Sequence, residues 1–149
     1  MKNIEITIPA DIVDYNELTP ADADLVEQAR QATSRSYAPY SHFCVGAAIR
    51  LDDGTVVTGA NQENAAYPSG TCAERSACYY AHAQYPEKSF ETIAIAARDI
   101  NGNFTEEVTA PCGACRQALL EYETLAGHDV RVILAGRDKV YILPSVRST

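Results

Sequence analysis

The segment ETIAIAA, residues 91–97, constrains the fold most, because it is apolar throughout after its first two residues. A strand of that composition is buried on both faces, as in sheets that helices cover on each side. The segment FCVGAAIRL, residues 43–51, alternates instead, and Asp52-Asp53-Gly54 then turns the chain into TVVTG, residues 55–59. These two segments predict an antiparallel hairpin in the same sheet.

Three helical patterns lie between the predicted strands. Thr19-Pro20 offers an N-cap and a first-turn proline, and apolar residues recur at helical spacing as far as about Ser36. Two further helices are predicted over residues 71–85 and 111–124, followed by the strands VRVILAG and KVYIL. The order α-β-β-α-β-α-β-β predicts an α/β fold of three layers, with a mixed sheet of about five strands flanked by helices.

The length of the chain suits one domain, and its charge narrows the range of partners. The 149 residues include 12 Lys and Arg against 20 Asp and Glu, a formal net charge of −8. Such a surface repels polymeric nucleic acid and suits a small neutral ligand.

Because no apolar run is long enough for a secretion signal or a membrane span, we expect a cytoplasmic protein. We expect an N-terminal arm at 1–18 and a catalytic domain at 19–149.

Three of the five cysteines fall in two short motifs, Cys72-x-Glu74 and Pro111-Cys112-x-x-Cys115. The threonine before the first motif suits an N-cap, which makes Cys72 the first helical residue. Pro111 suits the first position of the next helix, which places Cys112 and Cys115 on one helical face. Helix N-termini favour thiolates, the form of cysteine that binds metals. Three thiolates from two helices would suit zinc.

The number of ligands distinguishes two kinds of zinc site. A structural site closes with four protein ligands, whereas a catalytic site uses three and leaves one position for water. The motifs supply three, Cys72, Cys112 and Cys115, so we expect one catalytic Zn²⁺ per chain. Zinc lowers the pKa of its water toward about 7, and Glu74 could move protons beside it.

Three thiolates leave a zinc centre negatively charged, which weakens it as a Lewis acid. Arg75 and Arg116 each adjoin one of the motifs and could donate hydrogen bonds to the sulfur atoms. We expect at least one of the two to offset the charge in this way.

Each motif alone has a simpler interpretation. Thr71-x-x-Glu74 is also a capping box, Cys112 and Cys115 could form a redox pair, and Cys72 could pack as a small apolar side chain. Together, however, Cys-x-Glu followed by Pro-Cys-x-x-Cys is the signature of the zinc deaminases, with Cys in place of their His. The joint match therefore favours a hydrolytic zinc site.

The sequence resembles the short, homotetrameric cytidine deaminases from about Thr19 to Leu134. The blocks that carry the resemblance are PYSHFCVGAA, NQENAAYPSGTCAER and PCGACRQ, in that order. It implies the cytidine deaminase fold and the hydrolysis of cytidine and deoxycytidine to uridine, deoxyuridine and ammonia in nucleoside salvage. It also implies a homotetramer that shares its active sites.

The resemblance assigns roles to individual residues. Cys72, Cys112 and Cys115 match the zinc ligands, and Glu74 matches the residue that shuttles protons between water and the pyrimidine. Six further residues match substrate contacts: Phe43 beside the base, Asn61 and Glu63 at a ribose hydroxyl, the Ala73 backbone at the base, and Ala65 and Tyr67, which are lent to an adjoining subunit.

Other interpretations remain open from the residues themselves. Phe43 alternates with apolar neighbours and could be part of the core, and Asn61 and Glu63 could be turn residues at the surface. The chain also departs from the family after Ile142-Leu143-Pro144, where Ser145-Val146-Arg147 replaces a segment that usually ends in phenylalanine. The same chemistry on another base or nucleoside analogue is therefore an alternative, as is a zinc or redox module without catalysis.

Overall fold

One mixed sheet of six strands organises the protein, whose computed structural model describes all 149 residues. The strands are β1 (Asp11–Asp14), β2 (Phe43–Leu51), β3 (Val56–Ala60), β4 (Phe90–Asp99), β5 (Arg131–Ala135) and β6 (Lys139–Leu143). The helices are α1 (Pro20–Ala32), α2 (Ala73–Gln84) and α3 (Gly113–Ala126). The strand order is β1-β6-β5-β4-β2-β3, with β4 and β5 parallel and the other neighbours antiparallel. The predicted α/β class is confirmed, but the sheet has one strand more than predicted.

The additional strand, β1, lies within the segment 1–18. It pairs antiparallel with β6, from Asp11 opposite Ile142 to Asp14 opposite Lys139. Only Val13 of its four residues is even partly buried, so the strand lacks the alternating apolar pattern that indicates a strand in a sequence. A hydrogen bond of 2.7 Å from the Tyr15 hydroxyl to the Gly136 carbonyl holds the chain beyond it against the β5–β6 turn.

Helices cover both faces of the sheet, which confirms the predicted three layers. On one face α1 packs Leu25, Val26 and Ala29 against residues of β2, β4 and β5. On the other face α2 and α3 pack against alternate residues of the same strands, including Ile49 and Ile95. The β4 segment is buried on both sides, as its apolar composition predicts. None of the three helices has the length and apolar composition needed to cross a membrane.

Two glycines allow the helices to approach the sheet closely. A Cβ atom on Gly46 of β2 would lie 2.1 Å from the Ala29 carbonyl of α1. A Cβ atom on Gly59 of β3 would lie 2.6 Å from the Ala77 nitrogen and 2.9 Å from the Ala73 carbonyl of α2. The first turn of α2 therefore lies directly on the sheet, and Glu74 in that turn is buried.

Candidate active site

The three motif cysteines meet where the N-termini of α2 and α3 come together. Cys72 is the N-cap of α2, Cys112 is the N-cap of α3, and Cys115 lies in the first turn of α3. The sulfur atoms of Cys72 and Cys112 are 3.8 Å apart, and all three sulfur atoms lie within 4.8 Å of one another. Each thiol is free, so the cluster is not a disulfide.

This spacing fits a zinc ion bound by three thiolates. With zinc–sulfur bonds of about 2.3 Å, tetrahedral geometry places neighbouring sulfur atoms about 3.8 Å apart. The separation of Cys72 and Cys112 matches that value without any movement of the backbone. The three thiols could thus hold the zinc ion and would leave one tetrahedral position free of protein ligands.

Helices α2 and α3 begin later than predicted from the sequence. Cys72 and Cys112 are N-caps with extended backbone, and the first helical residues are Ala73 and Gly113. The alternative capping box of Thr71 and Glu74 does not form, because Cys72 is the N-cap and the Thr71 N–H donates to the Gln62 carbonyl at 2.9 Å. That bond belongs to an isolated bridge between residues 62 and 71, which local sequence patterns do not reveal. Glu74 therefore has no capping role.

Burial and hydrogen bonds shift the pKa values of two of the thiols, Cys115 and Cys112, in opposite directions. It raises the pKa of Cys115, and the negative charge of Glu74 raises it further. At Cys112 the opposing effect of hydrogen bonds from the first turn of α3 and from the neighbouring cysteines outweighs burial, and the pKa is lowered. Because a metal binds the thiolate, its binding at Cys115 would release the proton of this thiol.

Glu74 is buried beside the thiols, with 5% of its surface exposed. Burial raises the pKa of its carboxyl group and outweighs the opposing influence of its own backbone N–H, the Cys115 thiol and the charge of Arg75. A raised pKa brings a carboxyl group closer to the pH range in which it can both accept and donate a proton. This is the property that general acid–base catalysis requires.

The two arginines beside the motifs have different surroundings. Arg75 donates from Nη2 to the sulfur of Cys72 at 3.4 Å, and its contacts with Cys72 and Cys115 raise its own pKa. Arg116 is exposed and donates instead to the carbonyl of Thr149 at 3.4 Å. The chain end that it contacts is a short helical turn, Val146–Ser148, anchored to the buried carboxylate of Glu123.

A cavity of about 740 Å³ opens beside the cysteine cluster. Cys72, Cys112, Glu74 and Arg75 line its inner part, whereas Arg116 does not contribute to its walls. The cavity is also lined by all six residues that the sequence predicts as substrate contacts: Phe43, Asn61, Glu63, Ala65, Tyr67 and Ala73.

Exposure differs greatly among these six residues. Phe43, at the start of β2, has 37% of its surface exposed, whereas the apolar residues further along its face of β2 are buried or nearly so. Tyr67 is 92% exposed at the rim, and Ala73 is fully buried at the start of α2. The outer wall of the cavity is therefore open in a single chain.

Sequence patterns gave no indication of several groups in the cavity wall. The backbone N–H groups of Tyr40 and Ser41 donate to Glu63 Oε1 at 2.9 and 3.2 Å, across more than 20 positions of the chain. Thr109 also lines the cavity, two residues before Pro111. The proximity of Thr109 to the second motif was the one available signal, because the other contacts depend on the tertiary fold.

Comparisons with known proteins agree with this geometry. Residues 19–126 match the family described as the cytidine and deoxycytidylate deaminase zinc-binding region. The chain is 43% identical over 110 residues to a cytidine deaminase of Halalkalibacterium halodurans, covering 74% of this chain and 76% of the relative. It is 44% identical over 106 residues to a cytidine deaminase of Mycobacterium tuberculosis, covering 69% and 74%.

The fold has a solved counterpart. The crystal structure of cytidine deaminase from Burkholderia pseudomallei superimposes with a TM-score of 0.71 at 36% sequence identity, covering 84% of this chain and 93% of that chain.

Proposed function

Because the chain belongs to the cytidine deaminase family, we propose that it hydrolyses cytidine and deoxycytidine to uridine and deoxyuridine with release of ammonia. The observation that carries this proposal is the position of the buried Glu74 carboxyl group beside three thiols with the spacing of zinc ligands, in the wall of a cavity large enough for a nucleoside.

The zinc ligands in this proposal are Cys72, Cys112 and Cys115. Bound there, zinc supplies Lewis-acid chemistry and makes hydroxide available at neutral pH. Arg75 donates to Cys72 Sγ, which offsets part of the negative charge of three thiolates. The exposed Arg116 has no such contact with the sulfur atoms.

Glu74 moves the protons of the reaction. It accepts the proton that water loses on adding to C4 of the pyrimidine and donates it to ring N3. It then accepts the proton of the new C4 hydroxyl group and donates it to the amino group, which leaves as ammonia while the C4 carbonyl forms. The raised pKa of this carboxyl group supports both directions of transfer. Water is consumed and ammonia released in equal amounts, with no change of oxidation state.

The remaining cavity residues recognise the nucleoside. Phe43 offers an aromatic surface to the base, and the backbone of Ala73 offers polar groups beside it. Asn61 and Glu63 bind a hydroxyl group of the sugar. The net charge of −8 suits a neutral nucleoside better than polymeric nucleic acid.

We also propose that the enzyme is a homotetramer, acts in the cytoplasm and serves pyrimidine salvage. The open rim of the cavity supports the oligomer, since the exposed side chain of Tyr67 there is free to contact an adjoining subunit, and we propose that Ala65 and Tyr67 are lent to that subunit's site. Light scattering tests this assembly. We further propose a catalytic domain at 19–149, supported by the family match over residues 19–126, and an arm at 1–18 that adds β1 to its sheet.

The proton-transfer role is tested by Glu74→Gln, with Glu121→Gln on the exposed surface of α3 as the matched control. We expect E74Q to keep stoichiometric zinc and to lose turnover of cytidine by at least about a hundredfold, while E121Q retains both. Full turnover by zinc-loaded E74Q would show that another group moves the protons.

A further inference from the structure

The side-chain amide of Asn61 is almost fully engaged within the protein. Its Oδ1 accepts from the Val45 N–H at 2.8 Å and from the hydroxyl of Ser36. Its Nδ2 donates to the Phe43 carbonyl at 2.9 Å. Because a backbone N–H only donates and a carbonyl only accepts, these contacts fix which end of the amide is oxygen. An amide has two acceptor and two donor positions, so one N–H remains free.

Glu63, in contrast, offers a ligand only hydrogen-bond acceptors. Its Oε1 accepts from the N–H groups of Tyr40 and Ser41, and hydrogen bonds from Ser41 and Tyr40 lower the pKa of the carboxyl group. Glu63 is therefore a carboxylate at neutral pH, and a carboxylate only accepts hydrogen bonds. Its second oxygen, Oε2, has no protein donor among these contacts and remains available to a ligand.

A backbone bridge sets Asn61 and Glu63 on the same side of the chain. The Tyr37 N–H donates to the Asn61 carbonyl at 3.0 Å, and the Glu63 N–H donates to the Tyr37 carbonyl at 2.8 Å. Residues two apart in an extended segment point in the same direction, and both side chains line the cavity. The same bridge carries Ser36, the residue before Tyr37, to the amide of Asn61.

We infer that Ser36 is a positioning residue for sugar recognition: its hydroxyl occupies the last acceptor position of Asn61, so that Asn61 offers the ligand a donor only and Glu63 an acceptor only. A single hydroxyl group that accepts from Asn61 and donates to Glu63 satisfies both. This inference rests on the proposed nucleoside substrate and adds a requirement for a free hydroxyl group at one position of the sugar.

The chain offers matched variants for a test. Ser36→Ala removes the hydroxyl, and Ser36→Thr keeps it. Ser34→Ala removes a hydroxyl two residues earlier, which donates to the Gln31 carbonyl. Each variant and the parent enzyme are assayed with cytidine and with its 2′-, 3′- and 5′-deoxy forms. The deoxy form that the parent enzyme uses least efficiently identifies the hydroxyl group that the pair binds.

We expect S36A to raise KM for cytidine by about two- to tenfold, the effect of weakening one hydrogen bond, with kcat unchanged. On the deoxy form that lacks the recognised hydroxyl group, S36A and the parent enzyme should have equal KM values. S34A and S36T should match the parent enzyme throughout. A KM for cytidine that S36A leaves unchanged, or an equal rise on all four substrates, would overturn the inference.

Glu63→Gln tests the acceptor half of the pair. With its oxygen facing the N–H groups of Tyr40 and Ser41, the new amide presents a second donor to the hydroxyl group. We expect E63Q to lose more kcat/KM on cytidine than on the matching deoxy form. An equal loss on both would contradict the acceptor role.

Equilibrium binding of uridine separates this inference from the proposed reaction, because uridine carries the same sugar and needs no turnover. Weaker binding to S36A but not to S34A supports the inference even if no ammonia is released from cytidine. Ammonia release with equal uridine affinity in S36A and S34A supports the reaction and overturns the inference.

Discussion

The Sγ atoms of Cys72 and Cys112 lie 3.8 Å apart, although the two residues are separated by 40 positions in the chain. The contact exists because both residues cap helices whose N-termini meet on the same face of the sheet. Two reduced thiols held at this distance have the spacing of neighbouring ligands on one tetrahedral zinc ion. The cysteine cluster therefore forms only when the chain is folded.

Loss of one ligand should therefore release the metal. We predict that Cys112→Ser reduces zinc from about one per chain to well below that value and lowers the melting temperature, because bound metal stabilises the folded state. Cys44→Ala is the control, since Cys44 is buried in β2, outside the metal cluster. Metal analysis with thermal unfolding measures both effects. Stoichiometric zinc in C112S would show that the ligand set is different.

Arg75 should influence the metal through Cys72. We predict that Arg75→Ala weakens zinc binding by about 10- to 100-fold, because a donor to a ligating atom is lost. Arg116→Ala is the matched control, since Arg116 contacts the Thr149 carbonyl. Competition with a chelator measures the affinity of each variant. Equal affinities for R75A and R116A would rule out this role for Arg75.

Asp22 should make stability depend on pH. Its carboxylate pairs with Arg50 at 3.2 Å and with Arg131 at 2.8 Å, joining the start of α1 to β2 and β5. Burial acts to raise the pKa of Asp22, but the hydrogen bonds and charges of the two arginines outweigh it and the pKa is lowered. A lowered pKa in the folded state stabilises the protein above the unfolded value of about 4, and the contribution is lost as the pH falls through the folded pKa.

We predict that Asp22→Asn lowers the free energy of unfolding by about 3 kcal/mol at pH 7, because Arg131 loses its ionic partner and Arg50 keeps only Glu91. The difference from the parent protein should shrink as the pH falls below about 4. Asp24→Asn, at an exposed position of the same helix, should change the free energy of unfolding by less than about 0.5 kcal/mol. Denaturant unfolding at several pH values measures this. A pH-independent difference would contradict the ionic origin.

His42 adopts a left-handed backbone conformation, with φ at 57°. It lies between Ser41, which donates to Glu63, and Phe43 at the cavity. We predict that His42→Gly keeps the melting temperature within a few degrees, while His42→Val lowers it by an amount equivalent to about 1–2 kcal/mol, since valine is strained at positive φ. Thermal unfolding of both variants tests this. Equal stability of H42V and H42G would show that the turn relaxes at no cost.

Much of the fold is predictable from local patterns. The apolar β4 segment and the alternating β2 segment indicate a sheet covered on both faces, and the helices follow from their apolar spacing and caps. The strand β1 is not predictable in this way, because it is four residues long, mostly exposed and held by pairing with β6 at the far end of the chain. Whether such a segment forms a strand depends on its pairing with a distant part of the chain.

The candidate site, too, is only partly predictable from local sequence patterns. The cysteines and Glu74 occur in short motifs whose spacing already indicates metal chemistry. The predicted starts are one residue early for α2 and two residues early for α3. At α2, the bond between Thr71 and Gln62 replaces the expected cap. The bond from Ser36 to Asn61 spans 25 positions and has no local signal, so only the folded structure reveals it.

The most direct test of the proposed activity is ammonia release from cytidine by zinc-loaded protein, followed together with the fall in ultraviolet absorbance. We predict one ammonia and one uridine for each cytidine consumed, with deoxycytidine also converted, and loss of both signals when C112S replaces the parent protein. Protein that holds one zinc per chain and leaves both nucleosides unchanged would contradict the assignment.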